Sequence, residues 1–323
     1  MKTRFLNLLR MFVSLSLLGL LFWFMRRGLS DMYAAIIGAD KVMICCAMLL
    51  FLVTAYLIAL RLKVVVSAQS ISISAKEAAC LTFAGYFFNN FLPTSFGGDV
   101  FKAYYIGKKT GMKTAALAGV FMDRILAMIP FTLIPVVTIT FFNHRISARP
   151  VIAAVYLIFL TSAVFVWMLL CRKAARYVSF ILSPFRQTYW YDKVKSGYDF
   201  LNIYSNRKTI LLHSLALSIV VQVLSVIATY VLARALGIHD AGMGVFFIVV
   251  PIVGILTLIP SLNGLGVREG GYVYLLSPYM SAEKALALSI LVLASLLMYS
   301  LIGGLIYGFQ RKVFSADTAR PAQ

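Results

Sequence analysis

Charged side chains interrupt long apolar stretches of this sequence at three places, and charge in such surroundings usually serves binding or chemistry. They form acidic and basic pairs, Asp99 with Lys102, Asp123 with Arg124, and Arg268 with Glu269. An ionisable residue at the centre of a bilayer costs at least about 2.5 kcal/mol to insert, so these residues are expected to face a polar interior and to pair. A purely structural role, or snorkelling to the interface, is the alternative interpretation.

Two of these pairs close segments that proline and glycine interrupt, residues 89–102 and 259–271. In each segment a hydroxyl residue follows a Pro, a Gly stands four positions after that Pro, and a second Gly precedes the charges. Such backbone leaves N–H and C=O groups without helical partners, so it must be buried in protein or line a wet cavity. Facing broken helices of opposite topology are typical of secondary transporters, in which the substrate lies between them. We interpret the segments as one motif used twice; a chance match of short motifs is the alternative.

The residue types in these segments, together with the Asp123 and Arg124 pair, suit a phosphate. Lys102, Arg124 and Arg268 would neutralise it, with help from glycine N–H groups. Asparagine and serine side chains would hydrogen-bond the head group, and the carboxylates would hold the basic residues in the empty site or carry a coupling proton. The candidate substrate-binding residues are Asn89, Asn90, Ser95, Gly97, Gly98, Asp99, Lys102, Asp123, Arg124, Asn263, Gly264, Gly266, Arg268 and Glu269.

The elements that position these residues follow from a strongly apolar composition. Of 323 residues, 61% are hydrophobic and 13% charged, and the mean hydropathy is +0.90, which excludes a soluble globular protein. A helix that crosses a bilayer needs about 20 apolar residues. Six stretches meet this requirement, namely residues 5–25, 42–60, 115–142, 150–171, 210–233 and 285–309. Residues 78–98 and 241–267 are long enough to cross but are interrupted by proline and glycine.

The distribution of basic residues predicts the topology. The chain carries 30 Lys and Arg against 11 Asp and Glu, a net charge of +19, and cytoplasmic loops collect Lys and Arg. If both interrupted stretches return to the side from which they enter, 21 basic residues lie inside, eight lie outside, and Arg124 remains within a span. We therefore predict a multi-pass protein of the plasma (inner) membrane with both termini cytoplasmic.

The predicted fold class is an all-α polytopic membrane protein, with about six full transmembrane helices and two broken, re-entrant segments arranged as an inverted repeat. Residues 1–323 form a single integral membrane domain in this interpretation, and residues 1–142 and 150–314 are the candidate repeats. In residues 172–208, apolar residues at helical spacing with basic residues between them predict amphipathic helices on the cytoplasmic leaflet. A solvated cytoplasmic connection is the alternative.

The sequence offers no complete motif for ATP hydrolysis or metal binding. Residues 111–114, Gly-Met-Lys-Thr, lack the glycine that a phosphate-binding loop needs immediately before its Lys. The three histidines are scattered, and the four cysteines lie in apolar stretches without metal-ligand spacing. We therefore expect no cofactor, no metal ion and no catalytic residue, and a transporter more readily than an enzyme.

The interrupted segments also resemble a known family. The residues that carry the resemblance are Asn89, Asn90, Phe91, Leu92, Pro93, Gly97, Gly98, Asp99, Tyr104, Asp123, Arg124, Pro260, Gly264, Gly266, Val267, Arg268 and Glu269. In these residues the sequence resembles the flippase-like integral membrane family that includes the membrane domain of lysylphosphatidylglycerol synthetase, the multiple peptide resistance factor. The resemblance implies a polytopic protein that moves polar lipid head groups between leaflets, without the lysine-transferring activity of the full synthetase.

The leading functional hypothesis is therefore a lipid flippase that moves a phosphate-bearing lipid between leaflets. The expected partner is a membrane phospholipid or a polyprenyl-phosphate lipid, and no nucleic acid is expected. The sequence leaves open whether the protein forms a homo-oligomer. One alternative is a membrane-embedded transferase that acts on a lipid-linked substrate with Asp99 or Glu269 as base. The other is a secondary transporter of small solutes or ions with the same architecture.

Overall fold

The fold, seen in a computed structural model that describes residues 29–91, 97–142, 149–170, 203–258 and 264–309, is built from helices. These residues form ten α-helices and one short 3-10 helix, Ile203–Asn206, and no strand occurs among them. The α-helices are α1 (Leu29–Gly38), α2 (Lys41–Ser67), α3 (Ala75–Phe91), α4 (Gly97–Thr110), α5 (Lys113–Phe142), α6 (Arg149–Leu170), α7 (Lys208–Ala235), α8 (Met243–Leu256), α9 (Val267–Leu276) and α10 (Ala282–Phe309).

Four helices are long and apolar enough to cross a bilayer, which confirms a multi-pass membrane protein. They are α2, α5, α7 and α10, and they contain the predicted spans 42–60, 115–142, 210–233 and 285–309. The predicted span 150–171 forms α6, whose described apolar part is the shorter stretch Ile152–Val164. The predicted span 5–25 and most of the predicted amphipathic connection 172–208 lie outside the described residues.

Each interrupted segment separates two helices, as the sequence predicts. The first separates α3 from α4 and the second separates α8 from α9. Helices α3 and α4 run antiparallel, because Glu77 near the start of α3 binds Lys109 near the end of α4, while Gly85 and Gly98 meet farther along. In the second pair, Gly271 of α9 lies against α8. The chain thus folds back on itself after the first interruption, and the second pair is also packed together.

The long helices α2 and α7 pack against each other in opposite directions. At the start of α2, the Asp40 N–H donates to the Ala235 carbonyl at the end of α7, 3.0 Å away, and the Asp40 carboxylate caps α2. Near the other end, the Tyr204 hydroxyl, just before α7, donates to the Val65 carbonyl at 3.0 Å. Burial raises the pKa of Tyr204, so the phenol remains a neutral donor.

The same pattern of helix contacts occurs twice. Helix α3 packs on α10, and α8 packs on α5. A phenylalanine lies against a glycine in both interfaces, Phe87 on Gly304 in the first and Phe131 on Gly254 in the second. The largest apolar cluster joins α1 and α2 to α7–α10, and a second one joins α2 to α3, α4 and α5. Helix α2 therefore contributes to both parts of the core, and its neighbours α3–α5 enclose the cavity described next.

Candidate functional site

A cavity of about 180 Å³ lies among α2, α3, α4 and α5, and most of its polar lining is charged. Its lining residues are Ile58, Arg61, Thr82, Gly85, Tyr86, Asn89, Asp99, Lys102, Asp123, Arg124 and Ala127. Three basic and two acidic side chains thus converge inside a bundle of apolar helices. No group of three His, Cys, Asp or Glu side chains that could hold a metal ion occurs in the described part of the chain. Ammonium and guanidinium donors suit the cavity to an anion.

Asp99 binds two cations at once. Its Oδ1 lies 2.7 Å from Lys102 Nζ, one helical turn along α4, and its Oδ2 lies 2.6 Å from Arg124 Nη1 on α5. Both cations are mostly buried, with side-chain exposures of 10% for Lys102 and 23% for Arg124. The predicted pairing of Asp99 with Lys102 is confirmed, and Arg124 is a second partner. One carboxylate therefore holds two basic side chains in place.

Arg61 and Asp123 form a second ion pair, which is nearly sealed. Arg61 Nε donates to Asp123 Oδ1 at 2.7 Å and Nη2 donates to Oδ2 at 3.2 Å, the two-point geometry that favours arginine over lysine. Arg61 Nη1 donates to Ser218 Oγ of α7 at 3.1 Å. The side chains are 5% and 4% exposed. This pair ties α2, α5 and α7 together beside the cavity.

Consecutive residues of α5 serve the two ion pairs. An α-helix turns by about 100° per residue, so Asp123 and Arg124 point to different neighbours. Asp123 meets Arg61 of α2, and Arg124 meets Asp99 of α4. The sequence places Asp123 and Arg124 side by side as a candidate pair, and the structure gives each a partner on another helix instead.

The start of α4 is positioned by two contacts with α3. Asn89 Oδ1 accepts the Gly98 N–H at 2.6 Å and so satisfies one of the free donors of the first turn. A Cβ at Gly98 would collide with the backbone carbonyl of Gly85, so the close approach of the two helices requires glycine. The predicted residues Gly98 and Asn89 thus help to set the position of Asp99 and Lys102, and Asn89 also lines the cavity, while Gly97 is buried at the start of α4.

Arg268 and Glu269 form a separate, fully buried pair at the start of α9. Glu269 Oε1 accepts from Arg268 Nη2 at 2.6 Å and from Nε at 3.1 Å, and Ser289 Oγ lies 3.4 Å away. Glu269 Oε2 accepts the Gly266 N–H at 2.6 Å, where Gly266 has φ = +81° and begins the helix. Arg268 Nη1 has no partner among the described residues. Glu269 is therefore a helix cap as well as a counter-ion.

The structure brings the predicted site residues together only in part. Those that line the cavity are Asn89, Asp99, Lys102, Asp123 and Arg124. Gly264, Gly266, Arg268 and Glu269 do not line it. Ser95, Asn263 and the side chain of Asn90 lie outside the described residues. The role of all these residues in substrate binding stays a prediction.

Arg61 is the charged cavity residue that the sequence analysis misses. The predicted span ends at residue 60, which leaves Arg61 among the inside loops, but α2 continues to Ser67 and buries this side chain. A signal was present, since the apolar run resumes at Leu62 and Val64 after the arginine. Thr82 and Tyr86 also line the cavity and carry no sequence signal beyond being polar residues in an apolar helix.

Comparisons with known proteins agree with this architecture. The model of the family described as the lysylphosphatidylglycerol synthase TM region matches residues 7–303. A UPF0104 membrane protein of Methanothermobacter thermautotrophicus is 26% identical over 264 residues, which cover 75% of this chain and 77% of that protein. The family match spans both interrupted segments, the long helices α2, α5 and α7, and most of α10. The chain belongs to the family of the lysylphosphatidylglycerol synthase TM region.

Proposed function

We propose that this protein is a lipid flippase that moves a phosphate-bearing anionic lipid between the leaflets of the membrane. The observation that carries the proposal is the partly buried Asp99 carboxylate between Lys102 and Arg124, in a cavity inside a multi-pass helical membrane protein. Ionisable groups at such depth are costly and usually mark a substrate pathway. The family is lipid-related by its printed description, which supports a lipid as the substrate.

The chemistry of the cavity supports a phosphate as the bound group. Lysine and arginine beside one another can each donate to phosphate oxygens, and arginine can do so at two points. In the empty site Asp99 occupies these donors. An incoming phosphate would displace the carboxylate, and the freed Asp99 could then take up a proton. Asp99 thus offsets one of the two positive charges when the site is empty, and the bound phosphate would take its place when the site is full.

The repeated helix pattern supports alternating access. In α2–α5 a long helix is followed by an interrupted helical pair and then by a second long helix, and the same order occurs in α7–α10. The first long helices of the two sets, α2 and α7, run antiparallel, as expected if the sets are inverted relative to each other. Inverted repeats with interrupted helices move substrates by rocking of one repeat against the other. We infer that both helical pairs are re-entrant and that the two sets exchange conformations during transport.

An apolar groove beside the cavity supports a lipid rather than a soluble anion. The groove has a volume of about 530 Å³ and lies among α5, α7 and α8. Ala127 of the cavity and Ile134 and Thr138 of the groove are 7 and 11 residues apart, so they lie on one face of α5, about 10–17 Å apart along its axis. A lipid could place its head group in the cavity and a hydrocarbon chain along this face.

The proposal is tested by fluorescent-lipid translocation in proteoliposomes. Wild-type protein is compared with Arg124→Ala and Lys102→Met, and with Lys109→Met as the matched control in the exposed ion pair on the same helix α4 as Lys102. We expect translocation by wild type and by the control, and a loss of about tenfold or more for each cavity variant. Arg268→Ala tests whether the separate pair also takes part in transport.

The other outcomes identify the alternative functions. If correctly inserted wild-type protein moves no phospholipid and no polyprenyl-phosphate reporter, the flippase proposal fails. A lipid with a new covalent bond, detected by mass spectrometry in expressing cells, would indicate a transferase. Uptake of a water-soluble anion without lipid movement would indicate a solute transporter.

A further inference from the structure

One threonine in the lining of the candidate cavity differs from the other buried threonines of the described helices. Four of these five donate to a backbone carbonyl one turn earlier, namely Thr54, Thr132, Thr138 and Thr229. Such a bond satisfies a buried hydroxyl within its own helix. The fifth, Thr82 of α3, is 3% exposed, and its Oγ1 has no hydrogen-bond partner among the described residues. This hydroxyl belongs to the lining of the cavity.

The unpaired hydroxyl of Thr82 does not stabilise the fold. A buried polar group without a partner is destabilising, and valine would fill nearly the same space without that cost. Buried polar groups in native structures are nearly always hydrogen-bonded, so an exception calls for an explanation. A ligand in the cavity supplies one, because it gives the hydroxyl a partner.

Two more neutral polar groups of α3 line the same cavity. Tyr86 and Asn89 follow Thr82 at intervals of four and three residues, so the three side chains lie along one face of the helix, over about 10 Å. The Tyr86 hydroxyl forms no hydrogen bond among the described residues, and Asn89 uses only its Oδ1, for the Gly98 N–H. The charged lining residues lie on α2, α4 and α5 instead. We call Thr82, Tyr86 and Asn89 the α3 wall.

We propose that the α3 wall binds hydroxyl groups of the lipid head group, beside the phosphate, and so selects lipids whose head group is hydroxylated. The inference rests on the proposed lipid-translocating function and narrows its substrate class. Each member of the wall offers an O–H or N–H donor, which requires an acceptor on the substrate. A substrate hydroxyl accepts such a bond and donates in return to Thr82 Oγ1 or Tyr86 Oη. An ammonium group only donates, and it leaves the Asn89 amide nitrogen unpaired.

The size of the cavity limits the hydroxylated group to a small one. Its volume of about 180 Å³ equals that of roughly six water molecules in the liquid, at about 30 Å³ each. This volume suits a phosphate with a short polyol such as glycerol, and it is too small for an oligosaccharide. The substrate class is therefore a phosphodiester lipid with a small polyol as its head group.

The test compares two lipids that share the same fluorescent acyl chain and the same phosphodiester charge. Phosphatidylglycerol carries hydroxyls on its glycerol head group, and in phosphatidylpropanol a propyl group with the same number of carbons replaces the glycerol. In proteoliposomes, we expect wild-type protein to translocate phosphatidylglycerol about tenfold faster, or more. A site that hydrogen-bonds a substrate hydroxyl discriminates against the analogue without it, because the polar groups of the site stay unpaired.

Variants of nearly unchanged shape test the α3 wall. Thr82→Val and Tyr86→Phe each remove one hydroxyl, and each should lower the ratio of the phosphatidylglycerol rate to the phosphatidylpropanol rate by about three- to tenfold. Thr82→Ser retains the hydroxyl and should retain the ratio. Thr54→Val is the matched control, because Thr54 is also 3% exposed but donates to the Phe51 carbonyl and does not line the cavity. We expect the wild-type ratio for this control.

Thermal unfolding of the same variants separates binding from a structural role. Because Thr82 Oγ1 has no partner to lose among the described residues, Thr82→Val should leave the midpoint of unfolding unchanged or raise it. Thr54→Val should lower it, since it removes a hydrogen bond. If Thr82→Val lowers the midpoint as far as Thr54→Val does, the hydroxyl of Thr82 serves the fold, and the proposal is overturned.

The outcomes also separate this inference from the function on which it rests. Wild-type protein that moves neither lipid contradicts the flippase proposal itself. Wild-type protein that moves both at equal rates, or phosphatidylpropanol faster, overturns the hydroxyl selection and leaves the flippase function standing. A preference for phosphatidylglycerol that Thr82→Val and Tyr86→Phe both leave unchanged overturns the role of the α3 wall. Because the two hydroxyls are removed in separate variants, either variant decides if the other cannot be reconstituted.

Discussion

The buried ion pair of Arg61 and Asp123 allows the energetic cost of burying charge to be measured. Removing one member of a buried ion pair leaves the other unpaired and typically costs about 3–5 kcal/mol, whereas replacing both with apolar residues is often neutral. We predict that Arg61→Met lowers the free energy of unfolding by this amount and that Arg61→Met combined with Asp123→Leu restores most of it. Thermal unfolding of the detergent-solubilised protein measures both.

A matched control for this pair comes from the exposed ion pair on α3 and α4. Lys109 is 41% exposed, so Lys109→Met should change the free energy of unfolding by less than about 1 kcal/mol. If the double variant is as unstable as Arg61→Met alone, the pairing with Asp123 is not the reason for the burial of Arg61. The contact of Arg61 with Ser218 would then be the remaining explanation.

At the scale of single residues, the sequence predicts charged side chains well when apolar residues surround them on both sides. Asp123 and Arg124 stand in the middle of a span, so the burial of Asp123 and the partial burial of Arg124 were predictable. Arg61 stands where a span of about 20 residues would end, and there a buried arginine looks the same as a loop cation. The partners were not predictable, because neighbours in a helical sequence point about 100° apart and find their partners on other helices.

The interrupted helices depend on glycine at one close contact. Because a Cβ at Gly98 would collide with the Gly85 carbonyl, Gly98→Ala must push α4 away from α3. We predict a loss of about 1–3 kcal/mol in unfolding free energy, together with loss of lipid translocation, since Asp99 follows immediately.

Gly270→Ala in the first turns of α9 is the control. No atom lies within 4 Å of its Cβ position, so this substitution should be neutral or stabilising by about 0.5–1 kcal/mol. Equal effects of the two substitutions on unfolding would contradict this account.

The groove on α5 yields a prediction about the lipid chain. Gly244 lines the groove, so we expect Gly244→Phe to narrow it and to slow lipid translocation. Gly308→Phe on α10 is the control, because its Cβ position is open and it lies outside the groove. Rates for the same fluorescent lipid in proteoliposomes measure the effect. If both variants translocate at the wild-type rate, the hydrocarbon chain does not follow this face of α5.

At the scale of helices, proline and glycine mark where each interrupted segment breaks, and both breaks were predictable for that reason. The packing between the helices was not predictable. Gly85 contacts Gly98 and thereby fixes the first helical pair, but in the sequence it is one small residue in an apolar run. The sequence also did not show that Arg268 and Glu269 lie apart from the cavity. Two similar motifs need not form one site, and only the packing of the helices decides whether they do.

For the whole molecule, the helix contacts make a specific prediction about sidedness. If α3 with α4 is re-entrant, the end of α2 and the start of α5 lie on one side of the membrane. If α8 with α9 is re-entrant and the two sets are inverted, the end of α7 and the start of α10 lie on the other side. Exposed residues mark these four ends, namely Ser67, Met112, His239 and Ser281. Single cysteines there, in a chain whose native cysteines are replaced, can be labelled with a membrane-impermeant maleimide in intact and in opened cells.

We expect Ser67→Cys and Met112→Cys to react only when the cytoplasmic side is accessible, and His239→Cys and Ser281→Cys to react from outside. The physical reason is that basic residues collect on the cytoplasmic side, while the antiparallel packing of α2 on α7 places the ends of these two helices on opposite sides. Reaction of Ser67→Cys and Met112→Cys from opposite sides would make α3 with α4 a full crossing. Reaction of all four from one side would make the repeats parallel, and alternating access by exchange of two inverted sets would then be wrong.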